Sequence, residues 1–208
     1  MDLNNDIEWE SYFIDGTDTL KNNLNINDSD KLKEVERFIT TEQLALLYLE
    51  PVLGNFDSSH LKEIHRRIFE PIYPFAGTYR TCSLAKVGEF CEPKYIDKRL
   101  KSVLEQMNND FENINSFDEF AFKLADYYFE IIWIHPFREG NGRSIRAYFR
   151  EFVLEKSKKY YFGPLDLDFT KMDKENLMLG TAQRYLYMSY VEMEFRKGLV
   201  KVENNKKL

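Results

Sequence analysis

The chain has 208 residues, of which 43% are hydrophobic and 15% aromatic, with 17 Phe and 13 Tyr. This size and composition fit one domain with a large core, and they exclude a disordered, collagen-like or low-complexity chain. The formal net charge of −6 argues against general binding to the phosphate backbone of nucleic acids, which needs a basic surface.

The N-terminal region, residues 1–28, is predicted to be an irregular arm. It is polar, rich in Asn and Asp, and contains the turn signal Asp15-Gly16. Residues 29–196 carry mainly helical patterns, so we predict one all-α domain, and residues 197–208 are predicted to form a polar tail that frays. The predicted helices cover residues 29–50, 58–69, 96–110, 116–134, a stretch that begins after Asn141-Gly142, 171–179 and 182–196.

One stretch breaks the helical pattern. Residues 79–84 and 89–91 are short segments on either side of Lys86-Val87-Gly88. A glycine near the turn between two such segments predicts a small β-hairpin over about residues 79–92, the one convincing strand pair in the sequence.

The helix that ends at Ile134 has recognisable signals at both ends. The hydroxyl of Ser116 can accept from the third helical residue while Glu119 reaches back, which is the capping-box arrangement. At the other end, His135 precedes Pro136, and a residue before proline avoids the α region. Because this helix is apolar on most sides, we expect it in the middle of a bundle.

The loop from residue 135 to 143 follows that helix and reads His-Pro-Phe-Arg-Glu-Gly-Asn-Gly-Arg. Gly140 and Gly142 allow the backbone to approach a ligand closely. A helix that begins directly after such glycines presents N–H groups to an anion, and phosphate is the natural candidate.

The side chains of the loop point to the same chemistry. Glu139 supplies an oxygen ligand for Mg²⁺, and Arg143 and Arg146 share a helix face on which they can neutralise phosphate oxygens. His135 can take a proton near neutral pH. Together these groups describe phosphoryl or nucleotidyl transfer.

Each feature taken separately has a simpler interpretation. A histidine at a helix end is usually structural, an arginine row is usually a solvated stripe, and Gly-x-Gly is usually a turn. All eight specified positions in order, however, should arise by chance far less than about once in a million. We therefore favour the functional interpretation.

The sequence HPFREGNGRSIR, from His135 to Arg146, resembles the signature of Fic proteins of the Fic/Doc superfamily, His-Pro-Phe-x-(Asp or Glu)-Gly-Asn-Gly-Arg-x-x-Arg. Residues 73–80 are similar to the family's Tyr-Pro-Trp-Ala-Gly-x-x-Arg, with Phe75 in the tryptophan position. Residues 17–36 are similar to the N-terminal helix entry of bacterial members. The resemblance implies a mainly helical Fic fold with one small β-hairpin flap.

The resemblance implies protein adenylylation (AMPylation), in which AMP moves from ATP to a hydroxyl side chain of a target protein. His135 would be the base that deprotonates the target hydroxyl. Glu139 would hold Mg²⁺ on the α- and β-phosphates of ATP.

The phosphate-binding groups follow from the same resemblance. Gly140, Asn141 and Gly142 would form the anion cradle. Arg143 would bind the β-phosphate and Arg146 the γ-phosphate.

The predicted hairpin would be a flap that holds the target backbone as an added strand. Lys86 lies in the lysine position of that flap and would touch nucleotide or target. We interpret Phe137 as a core anchor of the loop and His65, which resembles a helix histidine common in the family, as structural.

Other functions on the same fold are weighed beside AMP transfer. A kinase branch of the family has a lysine at the second loop glycine, so Gly142 disfavours that activity. A phosphocholine transferase shares much of the motif. A regulatory module that binds nucleotide without modifying anything has no need to keep both His135 and Glu139.

Many Fic proteins are inhibited by a helix that carries (Ser or Thr)-x-x-x-Glu-(Gly or Asn). Residues 59–63 fit the first five positions but are followed by Ile64, and Glu194 comes one place late after Ser189. Without a convincing internal inhibitor, the resemblance implies a small antitoxin protein in trans. The isolated chain is therefore predicted to be constitutively active and toxic.

The predicted partners are thus a protein substrate and an antitoxin, with no direct nucleic acid and no membrane. By family analogy the targets are the ATPase subunits of gyrase and topoisomerase IV, and host GTPases, modified by secreted relatives, are the alternative. Two cysteines, Cys82 and Cys91, are too few for a disulfide scaffold and indicate reduced thiols. With no secretory signal at the start, we predict a cytoplasmic protein.

Overall fold

The structure is a computed structural model that describes residues 3–84, 90–182 and 184–202. In these ranges the chain is mainly helical. The helices are α1 (Leu3–Glu10), α2 (Ser29–Leu49), α3 (Ser58–Phe69), α4 (Ile96–Asp110), α5 (Phe117–Ile134), α6 (Asn141–Lys156), α7 (Lys174–Ala182) and α8 (Arg184–Gly198).

Helix α5 forms the centre of the fold, as its composition predicts. Half of its residues are buried, and it packs against α4, α6 and α8. Helices α2 and α6 pack against α3. The buried faces of these helices merge into one aromatic-rich core, and the ends of α5 and α6 meet at the loop of residues 135–140.

Side-chain caps define where the helices begin. Ser116 accepts from the N–H of Glu119 at 3.1 Å, as predicted. The Glu119 carboxylate, however, accepts from the N–H of Asn115 at 2.9 Å, one residue before the cap. Asp28 and Asp57 cap α2 and α3 in the same way as Ser116 caps α5.

The two-stranded sheet joins β1 (Leu165–Leu167) to β2 (Leu199–Lys201) in antiparallel register, with Asp166 opposite Val200. The mainly helical fold class is confirmed, and in the described ranges the small antiparallel sheet joins residues 165–167 to 199–201, which lie outside the predicted hairpin of residues 79–92. The expectation that the chain from residue 197 frays is wrong over residues 199–201. Leu199 is buried with the two leucines of β1, and this burial holds the strand in place.

The predicted hairpin is described in part. Residues 79–84 and 90–92 are not β-strands in the structure. One backbone hydrogen bond joins the two arms, from the N–H of Phe90 to the carbonyl of Leu84 at 3.3 Å. The predicted turn of the hairpin, with Lys86, falls on residues outside those that the structure describes.

The N-terminal region is more regular than predicted. It opens with α1 and continues through a bridge between Phe13 and Leu20. The N–H of Asn23 then donates to the carbonyl of Ile72 at 2.8 Å, which fixes the region against the loop after α3. None of the described helices has both the length and the apolar character needed to cross a membrane.

Candidate active site

His135 ends helix α5 in the left-handed conformation, with φ 48° and ψ 62°. A β-carbon makes this conformation unfavourable by roughly 1–2 kcal/mol, so neighbouring contacts have to hold it. The N–H of His135 still donates to the carbonyl of Ile131 at 3.1 Å. The chain therefore leaves the helix abruptly, and Pro136 directs it into the loop.

The contacts that orient the imidazole of His135 include a hydrogen bond and a stacked ring. Its Nδ1 lies 3.2 Å from the carbonyl oxygen of Ile132, which can only accept, so Nδ1 carries the proton. In the neutral ring Nε2 is then the basic nitrogen. The ring stacks on Phe90 with centroids 3.9 Å apart and planes at 11°.

Arg80 joins the end of α5 to both arms of the predicted flap. Its guanidinium donates to the carbonyls of Cys82 (2.7 Å), Cys91 (2.5 Å), Ile134 (3.3 Å) and His135 (2.7 Å). Only 2% of Arg80 is exposed. Burial lowers the pKa of Arg80, but a guanidinium stays protonated, and the carbonyls at a helix C-terminus favour a cation.

Asn141 closes the loop on itself. Its Oδ1 accepts from the N–H of Phe137 at 2.8 Å, and its Nδ2 donates to the carbonyl of Phe137 at 2.7 Å. The Phe137 ring is fully buried and stacks on His65 with centroids 3.8 Å apart. The interpretation of Phe137 as a core anchor is therefore confirmed.

His65 supports the loop from α3. The N–H of Gly77 donates to its Nδ1 at 2.8 Å, and its Nε2 lies 3.0 Å from the carbonyl oxygen of Glu139, to which it donates. Burial lowers the pKa of His65 to about 4, so the ring is neutral at pH 7. These contacts give His65 a structural role, as predicted.

Gly140 stands where α6 begins, at φ +79°. A β-carbon at this position would lie 2.1 Å from Cζ of Phe69, which is buried. Glycine is therefore required both by the backbone conformation and by this close approach. Among the described residues, no acceptor contacts the N–H groups of Asn141 and Gly142, as expected for an anion-binding helix start.

Arg143 is held by Glu139 of the loop and by two residues of α2 that the sequence did not single out. Its Nη2 lies 2.5 Å from Glu36 and 3.4 Å from Glu139, and its Nη1 donates to the hydroxyl of Thr40 at 3.1 Å. Glu36 and Thr40 belong to α2, about 100 positions earlier in the chain. Two carboxylates therefore already face this cation.

Arg146 is exposed and folds back towards the start of its own helix. Its Nη1 would lie 3.1 Å from a β-carbon at Gly142, so the absence of a side chain there leaves room for the guanidinium. Arg143 and Arg146 line one cleft of about 590 Å³, as their shared face predicts. Arg150 lines it as well, but its Nε and Nη2 pair with Oδ1 and Oδ2 of Asp166, each at 2.9 Å.

The carboxylate of Glu139 is partly exposed, with 42% of the side chain accessible. Its Oε1 accepts from the N–H of Gly140 at 2.8 Å. Within the described ranges, no cluster of three or more acidic, His or Cys side chains is placed to hold a metal ion. One exposed carboxylate beside an anion site fits Mg²⁺, which typically takes one or two protein carboxylates and completes its shell with phosphate oxygens and water.

Comparison with known proteins shows the family to which the chain with this loop belongs. The profile of the Fic/DOC family matches residues 55–153. A probable protein adenylyltransferase of Sinorhizobium fredii is 32% identical over 133 residues, which cover 62% of this chain and 67% of the relative. The chain belongs to the Fic/DOC family.

A second relative, the probable protein adenylyltransferase Fic of Escherichia coli, is 28% identical over 147 residues, 70% of this chain and 72% of the relative. The structure of this chain is similar to the crystal structure of the BepC effector protein of Bartonella tribocorum with bound AMPPNP. The TM-score is 0.79 at 25% identity, over 93% of this chain and 98% of that one. Several relatives that are similar over most of this chain are named protein adenylyltransferases, and the chain is therefore an enzyme of that class.

The glutamates of the two imperfect inhibitor patterns bind elsewhere in this Fic/DOC enzyme. Glu63 pairs with Arg66 on its own helix, with Oε1 2.7 Å from Nη2. Glu194 is buried and accepts from the N–H of Asp173 at 2.8 Å. Among the ion pairs of the described residues, neither carboxylate pairs with Arg143 or Arg146.

Sequence reasoning missed four residues around the Fic/DOC loop. Arg80 had a signal, because it ends the motif at residues 73–80. Glu36 and Thr40, both on α2, and Phe90, in the second arm of the predicted hairpin, had no signal that pointed to the loop, because their contacts with it depend on how distant segments pack.

Proposed function

We propose that this Fic/DOC enzyme transfers AMP from ATP to a hydroxyl side chain of a target protein and releases pyrophosphate. The observation that carries the proposal is the orientation of His135. Its protonated Nδ1 is bound to a backbone carbonyl, which leaves Nε2 as the basic nitrogen. The same short loop leads into α6, whose first N–H groups contact no acceptor in the described part of the chain. A base and an anion site on one rigid loop suit in-line transfer.

In the proposed reaction, Nε2 of His135 takes the proton of the target hydroxyl. The hydroxyl oxygen forms a bond to the α-phosphorus, and the bond from that phosphorus to the bridging oxygen of the β-phosphate breaks. Pyrophosphate leaves with the electron pair, and AMP stays on the target. The proton remains on His135 until solvent removes it.

The phosphates would be bound at the start of α6. The N–H groups of Asn141 and Gly142, with Gly140 as the close-approach position, would contact phosphate oxygens. Arg143 would bind the β-phosphate, and its contacts with Glu36 and Thr40 hold the guanidinium in place before ATP arrives. Arg146, exposed at the same cleft, would reach the γ-phosphate.

Glu139 would hold Mg²⁺, which supplies charge neutralisation on the α- and β-phosphates when bound. Its partly exposed carboxylate supports this role, and the hydrogen bond from Gly140 orients it. The chain contributes one ligand, so metal and nucleotide are expected to bind together.

Residues 79–92 would place the target, with a role for Lys86 as predicted. Phe90 supports this assignment, because its ring covers one face of the His135 imidazole and so brings the flap's second arm to the base. A target strand added along this arm would carry its hydroxyl past His135.

The decisive test uses ATP radiolabelled at the α- or the γ-phosphorus, with desalted bacterial lysate as the acceptor. We expect protein label from the α position, none from the γ position, and none from either with His135→Ala. The matched control is His60→Ala, which removes the buried histidine that pairs with Glu151 at 3.0 Å instead of the loop histidine.

Other outcomes of this test identify the alternatives. Label from the γ position would identify a kinase. In a parallel reaction with CDP-choline labelled in the choline group, transfer of that label and none from ATP would identify a phosphocholine transferase. Binding of ATP without any transfer would identify a regulatory module.

We further propose that the protein is the cytoplasmic toxin of a toxin–antitoxin pair, with gyrase and topoisomerase IV ATPase subunits as targets and a small antitoxin in trans. The contacts of Glu63 and Glu194 away from the loop support inhibition by a separate chain. Expression of the chain should arrest growth, and expression of His135→Ala should not. Equal growth would contradict the toxin assignment, while purified gyrase subunits test the target directly.

A further inference from the structure

Arg138, the unspecified position of the loop signature, is held by the N-terminal region. Its guanidinium carbon lies 4.2 Å from the ring centre of Trp9, 5.2 Å from that of Phe13 and 5.5 Å from that of Tyr12. Its Nε is buried and has no hydrogen-bond partner among the described residues. Cation–π attraction, strongest towards Trp, therefore fixes this side chain.

The same segment binds the first arm of the flap. The hydroxyl of Tyr12 accepts from the N–H of Thr81 at 3.0 Å and lies 3.3 Å from the hydroxyl of that residue. Thr81 directly follows Arg80, whose guanidinium binds the carbonyl of His135. One tyrosine thus contacts both the catalytic loop, through Arg138, and the flap arm.

The segment is itself anchored to the fold. The Tyr12 ring packs edge-on against Phe75 with centroids 5.4 Å apart. Beyond it, Phe13 bridges to Leu20, and the N–H of Lys21 donates to the carbonyl of Tyr12 at 2.9 Å. Any displacement of Tyr12 therefore has to disturb contacts on several sides.

We propose that residues 9–13, here named the arm clamp, set the position of the flap's first arm relative to the catalytic loop and so present the target hydroxyl to His135. Arg138 and Tyr12 are positioning residues in this reaction, because they act through Thr81 and the loop backbone. The inference rests on the proposed AMP transfer. It predicts an effect on transfer to protein with little effect on ATP binding.

Three substitutions, at two positions, separate the parts of the clamp. Tyr12→Phe keeps the ring beside Arg138 and removes the oxygen that accepts from Thr81. Arg138→Met keeps an unbranched stem and removes the charge, whereas Arg138→Lys keeps the charge. The matched controls are Tyr161→Phe, at a side chain 82% exposed, and Arg37→Met on the exposed face of α2.

The first measurement is the initial rate of label transfer from α-labelled ATP over a dilution series of desalted bacterial lysate. Tyr12→Phe and Arg138→Met are expected to lower this rate roughly three- to tenfold, the effect of about one hydrogen bond or cation–π contact. The Kd for ATP with Mg²⁺ should stay within about twofold, which also shows that the variants are folded. Arg138→Lys should keep most of the activity.

The second measurement is hydrogen exchange at the Thr81 amide, which needs no activity. Tyr12→Phe should speed this exchange by at least roughly fivefold, since the amide loses its acceptor, while peptides of α5 keep their rates. Tyr161→Phe should change neither rate.

The outcomes distinguish the clamp from the proposed function. Unchanged exchange at Thr81, or faster exchange with wild-type transfer rates, would overturn the clamp. A wild-type enzyme that transfers no label would refute the AMP-transfer proposal, and exchange would then decide the clamp: unchanged exchange overturns it and faster exchange supports it.

Discussion

Replacement of Gly140 by alanine tests whether the start of α6 needs glycine for its conformation, for its packing or for both. The backbone at Gly140 has φ +79°, and an added β-carbon would lie 2.1 Å from Cζ and 2.2 Å from Cε2 of the Phe69 ring. A contact this short is far inside van der Waals distance, so the buried ring or the loop has to shift.

The two costs can be separated because Gly16 provides a control. Gly16 has φ +73°, is exposed, and has nothing within 4 Å of an added β-carbon. Gly16→Ala should therefore lower the free energy of unfolding by about 1 kcal/mol, from backbone strain. Gly140→Ala adds overpacking against Phe69 of about 1–3 kcal/mol, for a total of roughly 2–4 kcal/mol.

Urea denaturation of the two variants measures these free energies, and the Kd for ATP with Mg²⁺ measures the damage to the site. A loop displacement of about 1 Å is expected to lower the transfer rate by roughly a hundredfold in Gly140→Ala. Gly140→Ala combined with Phe69→Leu should recover part of the stability lost to overpacking. Equal destabilisation by Gly16→Ala and Gly140→Ala would refute the assignment of a packing role to Gly140.

Two further predictions concern the groups that support the loop. Arg80→Met leaves four backbone carbonyls without their donor and should destabilise the fold by roughly 3–5 kcal/mol in urea denaturation; an unchanged midpoint would contradict the contacts described for Arg80. Because burial lowers the pKa of His65 to about 4 from 6.5, the unfolded chain binds this proton first as pH falls. Stability should therefore drop by up to about 3 kcal/mol between pH 6.5 and 4, and His65→Gln should make that slope shallower; an equal slope would count against the buried neutral ring.

The sequence was informative wherever a signal was local. Helix α3 begins after Asp57 because that side chain caps it, and it covers the predicted residues 58–69. The structural roles of Phe137 and His65 followed from the loop motif and from its resemblance to a known family. Polar composition concealed α1, whose eight residues carry little periodicity.

Contacts between distant segments could not be predicted. The pairing of Glu36 with Arg143 joins residues on two helices whose patterns reveal only which face is buried. The strands β1 and β2 have three residues each, too few for an alternating pattern, and their pairing depends on how α7 and α8 return the chain. The contact of Tyr12 with Thr81 likewise depends on the folded path of the arm.

The single guanidinium of Arg80 gives His135, the proposed base, and the two arms of the proposed target-binding flap a common point of reference. Because Arg80 donates to the carbonyls of His135, Cys82 and Cys91, we expect a displacement of that cation to move all three carbonyls together. In the proposed reaction, the distance between a target bound at the flap and the His135 imidazole would then change little when the surrounding helices move. Targets of different shape would share one proton-transfer distance.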